Sequence, residues 1–169
     1  MPLVDEQVQA LAARAATLLV ERGESIAVCE SSAGGMISAA LLSVPGASAY
    51  YRGGAVVYTI VGSAALIGGV VTPPEGMRGA TEAFATYQAE AIRRKLDTTW
   101  GTGETGATGP TPNRYGDPNG HAWLAVDGPM RRTRHVSTGS DDRQANMVAF
   151  TVALLEELIA ALEAAPASA

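Results

Sequence analysis

The residue types most suited to chemistry occur together after a short apolar run: Glu30, Ser31, Ser32, Gly34 and Gly35. If a buried strand ends here and a helix follows, the serine hydroxyls lie beside helix N–H groups that have no partner within the helix. A hydroxyl in that setting can act as a nucleophile, and the N–H groups can stabilise an oxyanion or bind an anion. The same pattern also arises when serines only cap a helix and glycines only turn the chain.

A second loop of similar composition lies at residues 105–110, which read TGATGP. We expect this loop and the Ser31 loop to face one crevice. Residues 101–106 also match the G-x-G-x-x-G pattern of dinucleotide-binding domains. That pattern requires a helix that begins at its third glycine, whereas Pro110 and Pro112 follow here, so we interpret the match as accidental.

Composition limits the class of protein. The chain has 169 residues, 47% hydrophobic and 17% charged, which predicts a single soluble globular domain over residues 1–169 with its core at about 4–163. Charged residues and glycines interrupt the apolar stretches before they reach the length of a membrane span, and residues 1–20 do not resemble a secretory signal. We expect a cytoplasmic protein with no membrane partner.

Charge and the rare reactive residues restrict the possible chemistry. The net charge of −5 makes nucleic acid an unlikely main ligand, although Arg131, Arg132 and Arg134 form a small cluster. Cys29 is the single cysteine and lies in a predicted buried strand, where packing is its expected role. Lys95 is the single lysine, and arginine does not act as a base near neutral pH. No spacing of His, Asp and Glu resembles a metal site, so we expect no metal.

The pattern of apolar residues predicts an α/β fold: a three-layer α/β/α single domain with a mixed, mostly parallel sheet. A hairpin through Asp127 and Gly128 joins its last two strands. The segment 62–74 is predicted to be irregular, with at most one helical turn. The remaining expected elements are helices at 4–21, 36–42, 79–97 and 141–163 and strands at 25–29, 54–59, 121–127 and 132–137.

Three segments resemble the motifs of the CinA C-terminal domain family, known from competence/damage-inducible proteins. They are residues 30–35 (ESSAGG), 44–59 (VPGASAYYRGGAVVYT) and 105–110 (TGATGP), in the family's order. The resemblance as a whole covers about residues 5–160. The resemblance implies a nicotinamide-nucleotide amidohydrolase, a hydrolase of pyridine nucleotide salvage that converts nicotinamide mononucleotide to nicotinate mononucleotide and ammonia without a cofactor. It also implies a homo-oligomer, and we expect the form without a nucleotide-pyrophosphatase domain.

The resemblance also implies roles for individual residues. Ser31 corresponds to the nucleophile, and Tyr58 to a second catalytic residue. The positions that correspond to substrate-binding residues are Glu30, Gly34, Gly35, Thr105, Gly106, Gly109 and Arg143. These residue types suit amide hydrolysis, which requires a hydroxyl nucleophile, an oxyanion site and a cation or helix end for the phosphate.

Three positions depart from the family pattern. Ser63 stands where the motif Y-S-N-x-x-K has its activating lysine, Ala33 replaces a threonine, and Asp117 replaces a lysine. His121 follows the loop of Asp117 and is a candidate replacement base near neutral pH, although a core or surface role is the favoured interpretation.

The alternatives to the amidohydrolase are a nucleotide-binding module that does not hydrolyse its ligand, an enzyme acting on another amide or nucleotide, and an interaction protein. The last would use the apolar final helix or the strand with the arginine cluster for its contact. An exposed apolar patch together with a crevice filled by side chains would favour it.

Overall fold

The computed structural model describes residues 5–166, which form five helices and five strands. The helices are α1 (Glu6–Arg22), α2 (Met36–Leu42), α3 (Ile60–Ile67), α4 (Glu82–Leu96) and α5 (Arg143–Ala164). The strands are β1 (Ile26–Glu30), β2 (Tyr51–Val56), β3 (Trp100–Ala107), β4 (His121–Asp127) and β5 (Arg132–Ser137). Helix caps explain several of these bounds: Asp5 accepts the Val8 N–H at the start of α1, and Asp142 accepts the Ala145 N–H at the start of α5.

The strands form one sheet in the order β2-β1-β3-β4-β5. β1 pairs in parallel with β2 and β3, whereas β4 is antiparallel to both β3 and β5. Every strand except β4 therefore runs in one direction, which confirms the mixed, mostly parallel sheet. Because Cys29 lies opposite Gly103, the residues that follow Cys29 emerge beside Glu104 and Thr105 at the carboxyl edge of the sheet.

Helices cover both faces of the sheet, which confirms the three-layer architecture. On one face α1, α2 and α5 surround the main core, whose side chains include Leu19, Ile37, Trp100 and Leu154. On the other face α4 packs on the sheet, and α3 contacts α4 and β2. Cys29 is fully buried beneath α4, and burial raises the pKa of its thiol, so its predicted packing role is confirmed.

Strand β3 was not predicted, because the three glycines of its G-x-G-x-x-G sequence indicate a loop. In the structure Gly101 and Gly103 let the backbone of α4 lie directly on the strand. A Cβ atom at Gly103 would overlap the carbonyl oxygen of Ala85 and lie 2.8 Å from the Ala89 nitrogen. The glycines therefore permit close contact between helix and sheet, and they do not form a phosphate loop.

Two further boundaries differ from the prediction. The second strand lies at Tyr51–Val56 instead of 54–59, and α3 occupies part of the segment predicted to be irregular. Thr59 explains both differences, because its side chain caps α3 by accepting the Gly62 N–H at 3.0 Å. The hairpin of β4 and β5 and the other helices lie within a few residues of their predicted positions.

Helix α5 is, among the described residues, the one helix long and apolar enough to cross a membrane. Of its most apolar stretch, 56% is buried inside the domain. Phe150, Leu154 and Leu158 are among its buried side chains. The central helix of a folded core has the same length and composition, and α5 occupies that position here.

Candidate active site

A cavity of about 710 Å³ opens at the carboxyl edge of the sheet. Its walls bring together four of the predicted site residues, Ser31, Tyr58, Thr105 and Gly106. The two loops identified in the sequence therefore face one crevice. Ligands of open α/β sheets bind at this edge, so the position and size of the cavity suit a small-molecule ligand.

Glu30 ends β1 and occupies the N-terminus of α2. Its buried carboxylate accepts the N–H groups of Gly35 at 2.9 Å, Ile37 at 3.1 Å and Ser38 at 3.0 Å. The Ser38 hydroxyl donates a further hydrogen bond at 2.7 Å. Glu30 thus fills the place that an external anion would take at this helix end.

Glu104 holds the other side of the same turn. Its carboxylate accepts the N–H groups of Ser31 at 3.0 Å and Ala33 at 2.8 Å, and the Ser32 hydroxyl. Like Glu30, it is fully buried. Nothing in the local sequence around Ser31 indicates this contact, because Glu104 lies on β3, about seventy residues further along the chain.

These contacts correct one sequence expectation. The N–H groups around Gly34 and Gly35 were expected to be unpaired and able to bind an anion. Gly34 instead donates to the Ser31 carbonyl at 3.1 Å, and Gly35 donates to Glu30. From Ser31 to Ser38, the N–H of Ser32 alone lacks an acceptor within the described residues. Gly34 serves the turn by its φ of +68° and by leaving room for the Met147 methyl group.

Burial raises the pKa of Glu104 to about 7. The hydrogen bonds from Ser32, Ala33 and Ser31 act to lower this pKa, but their effect is smaller. The folded protein then binds a proton at Glu104 more tightly than the unfolded chain does. The stability that this proton contributes is fully present near the pKa of an unfolded glutamate, about 4.3, and is lost as the pH rises through about 7.

Replacing Glu104 by glutamine is expected to remove this pH dependence. Between about pH 8 and about pH 5, the free energy of unfolding of the native sequence should rise relative to that of Glu104→Gln by about 3 kcal/mol. Urea denaturation of both proteins at the two pH values measures the difference, in which the other titrating groups cancel. Glu163→Gln, at a surface carboxylate paired with Arg14, is the control. If the unfolding free energies of the native protein and Glu104→Gln differed by the same amount at both pH values, the raised pKa of Glu104 would be contradicted.

Tyr58 and Arg143 meet beside the cavity. Arg143 donates to the Tyr58 hydroxyl oxygen at 3.0 Å and to the Gly109 carbonyl at 2.9 Å. Asn146, one turn further along α5 and fully buried, donates to the carbonyls of Thr108 at 2.9 Å and Ser140 at 2.8 Å. The start of α5 therefore fixes the 105–110 loop. The sequence analysis did not identify Asn146, although an amide within an apolar helix is a recognisable signal.

The structure does not place a conventional base at Ser31. Ser63 lines the cavity, but Lys95 donates to the Gly68 carbonyl at 2.9 Å and is not part of the cavity wall. His121 is also outside the wall, with one ring nitrogen 2.9 Å from the Ala80 carbonyl oxygen and the other 2.8 Å from His135. Among the described residues that line the cavity, none is lysine, histidine, aspartate or glutamate.

Two loops, one between α3 and α4 and one between β3 and β4, bring arginines to the cavity wall. Asp117 forms a two-point ion pair with Arg78, which holds the pKa of that carboxyl below its ordinary value. The guanidinium groups of Arg78 and Arg114 both lie over the Tyr115 ring, at 4.8 and 4.9 Å from its centroid. Both arginines line the cavity. Arg114 was not identified from the sequence, where it is a lone arginine in a loop.

The arginine cluster of β5 and its hairpin is neutralised by carboxylates. Arg131 pairs with Asp127 at 2.6 Å and Glu90 at 3.3 Å. The partners of Arg132 and Arg134 are Glu157 at 2.5 Å and Glu156 at 2.8 Å. Because each arginine of the cluster is paired with a carboxylate, the cluster does not form the basic contact surface that the sequence suggested.

A cavity at the carboxyl edge of a mixed sheet, with a serine on its wall, defines an α/β domain with a candidate ligand site. The family model of the CinA C-terminal domain matches residues 8–162. The chain therefore belongs to the CinA C-terminal domain family, as the resemblance indicated.

Curated relatives and solved structures agree with this assignment. A CinA-like protein of Gloeobacter violaceus is 37% identical over 119 residues, covering 70% of this chain and 28% of the relative. A CinA-like protein of Myxococcus xanthus is 34% identical over 165 residues, covering 94% of this chain and 38% of the relative. The chain thus spans about a quarter to two-fifths of these relatives.

Among solved structures, the competence/damage inducible protein CihA from Agrobacterium tumefaciens superimposes with a TM-score of 0.87 at 27% identity, covering 96% of this chain and 99% of that protein. A competence or damage-inducible protein from Enterobacter asburiae has a TM-score of 0.85 at 26% identity, with coverage of 94% and 99%. The observed fold is therefore that of the CinA superfamily.

Proposed function

We propose that this chain binds nicotinamide mononucleotide in the cavity and hydrolyses its carboxamide, with Ser31 as the nucleophile. The observation that carries the proposal is the position of Ser31 on the wall of a nucleotide-sized cavity that it shares with Tyr58, Thr105 and Gly106. Membership of the CinA C-terminal domain family supports the substrate class. The open cavity also disfavours a purely structural role, for which the crevice would be filled by side chains.

The reaction requires a hydroxyl and a site for the oxyanion. The Ser31 oxygen adds to the carboxamide carbon, and the amide nitrogen takes up the serine proton and leaves as ammonia when the tetrahedral intermediate collapses. Water then hydrolyses the resulting ester and regenerates the serine, giving nicotinate mononucleotide. The Ser32 N–H, which has no acceptor within residues 5–166, is the backbone donor next to Ser31 that remains for the oxyanion.

The rate of this reaction is expected to be low. The Ser31 hydroxyl makes no hydrogen bond within the described residues, and no basic side chain lines the cavity near it other than arginine, which stays protonated. General-base assistance contributes roughly a hundred- to ten-thousand-fold in rate, so its absence costs about that factor. The same observation favours a second candidate function, in which the domain binds the nucleotide without hydrolysing it.

A turnover assay with matched serine variants tests the proposal. Purified protein is incubated with nicotinamide mononucleotide, and ammonia and nicotinate mononucleotide are measured alongside calorimetric binding. We expect slow product formation that Ser31→Ala abolishes. Ser43→Ala, whose hydroxyl bonds the Ala40 carbonyl outside the cavity, should leave it unchanged.

The other outcomes separate the alternatives. Binding without product would support the non-hydrolytic binding module. Absence of both binding and product would overturn the assignment of this nucleotide to the cavity.

A further inference from the structure

Two buried carboxylates lie directly behind Ser31 without a cationic partner. Glu30 and Glu104 are both fully buried. The hydrogen bonds that they accept come from backbone N–H groups and serine hydroxyls. Neither forms an ion pair with an arginine, lysine or histidine among the described residues. N–H and hydroxyl donors stabilise a carboxylate but leave its net charge in place.

Glu104 contacts the cavity wall through the Ser31 turn. It accepts the N–H of Ser31, whose residue lines the cavity, and it precedes Thr105, which also lines it. Protein surrounds Glu104 on every side, so solvent screens its charge poorly. A charge on a ligand at the Ser31 end of the cavity therefore interacts with Glu104 through protein and not through bulk water.

The other charged groups on the cavity wall are cations. Arg78 is neutralised by Asp117, whereas Arg114 contacts the Tyr115 ring and has no carboxylate partner in the part of the chain described. Arg114 lies on the loop that follows β3, whereas Ser31 lies on the turn that follows β1. The cavity consequently has a negative region at Ser31 and a positive region at Arg114.

We propose that Glu104 makes the Ser31 end of the cavity selective for a cationic ring over an uncharged ring, with the phosphate of the ligand lying towards Arg114. This inference rests on the proposed function and adds to it a residue that discriminates by the charge of the ring. Glu104 is a specificity-determining residue in this arrangement, because the ring charge interacts with it across the Ser31 turn.

The degree of selectivity depends on the ionisation of Glu104. Burial raises its pKa to about 7, and the neighbouring Glu30 on β1 also acts to raise it. Burial, and to a smaller extent the charges of Glu104 and Glu30, raise the pKa of the Cys29 thiol on β1, so the thiol stays neutral. A cationic ring favours the ionised form of Glu104, whereas a neutral ring does not. Preference for the cation should therefore increase as the pH rises through about 7 and decrease below it.

A pair of ligands that differ in ring charge tests the inference. Nicotinamide mononucleotide has a cationic ring, and its reduced dihydro form has a neutral ring with the same ribose, phosphate and carboxamide. Calorimetry of the intact chain is expected to give roughly tenfold tighter binding of the cationic form at about pH 8.5. Glu104→Gln should lower the ratio of the two dissociation constants several-fold, while the surface control Glu163→Gln keeps it.

The results distinguish failure of this inference from failure of the proposed function. If the native protein binds neither ligand, both fail. If it binds both equally, or if Glu104→Gln retains the preference, the inference fails while the proposed function stands. The native protein alone provides a second measurement that does not depend on the folding of a variant. Its preference should decrease several-fold from about pH 8.5 to about pH 6, and a constant preference would overturn the role of Glu104.

Discussion

Replacing Ser63 by lysine is expected to increase the hydrolysis of nicotinamide mononucleotide by about a hundred- to ten-thousand-fold. Ser63 lines the same cavity as Ser31 and stands where the family motif has its lysine. A lysine side chain extending into the cavity, partly desolvated there, can take the proton of the Ser31 hydroxyl. Steady-state measurement of ammonia release gives kcat/KM for both proteins.

Two further variants show whether a gain comes from this geometry. Ala64→Lys adds the same charge to the next cavity-lining residue of α3 and should give little gain. Ser31→Ala in the Ser63→Lys background should return the rate to the level without protein. If Ser63→Lys folds but its turnover equals that of the native sequence, the absence of a base near Ser31 is not what limits hydrolysis in this cavity.

Replacing Gly103 by alanine is expected to lower the free energy of unfolding by about 3 kcal/mol or more. The added methyl group would overlap the Ala85 carbonyl oxygen and lie 2.9 Å from the Gln88 Cβ, both in α4. Backbone and Cβ atoms cannot rotate away as the end of a flexible side chain can, so the helix must shift from the sheet. Urea denaturation followed by circular dichroism measures the loss.

Gly79→Ala is the matched control for this substitution. A Cβ atom there meets only the Thr105 hydroxyl oxygen, at the ordinary contact distance of 3.9 Å. Its stability should stay within about 1 kcal/mol of that of the native protein. If Gly103→Ala is no less stable than this control, close contact with α4 is not the reason for glycine in β3.

The elements with regular apolar periodicity could be predicted from the sequence, and the glycine-rich ones could not. α1, α4 and α5 have one apolar face and recognisable caps, so their positions follow from local rules. β3 is the central strand, yet its glycines are explained only by the helix that lies on them. Local propensity carries no information about a neighbour that lies elsewhere in the chain.

The candidate site shows the same division. Ser31, Tyr58 and Thr105 could be placed in one crevice, because residues at the carboxyl ends of parallel strands meet at one edge of the sheet. The pairing of Glu104 with the Ser31 turn joins two distant segments, so no local pattern reveals it. His121 illustrates the opposite case, since its place after a predicted loop suggested the crevice, whereas its ring bonds Ala80 and His135.

The carboxylates of Glu30 and Glu104 have a consequence for how a ligand is received. They hold the amides of Ser31, Ala33, Gly35, Ile37 and Ser38 in the way that a bound phosphate holds a helix N-terminus. The turn is therefore shaped before any ligand arrives, and a ligand loses no affinity in ordering it. Because Glu30 and Glu104 already bind these amides, the amides are not available to a nucleotide. Discrimination among nucleotides therefore depends on the side chains around the cavity.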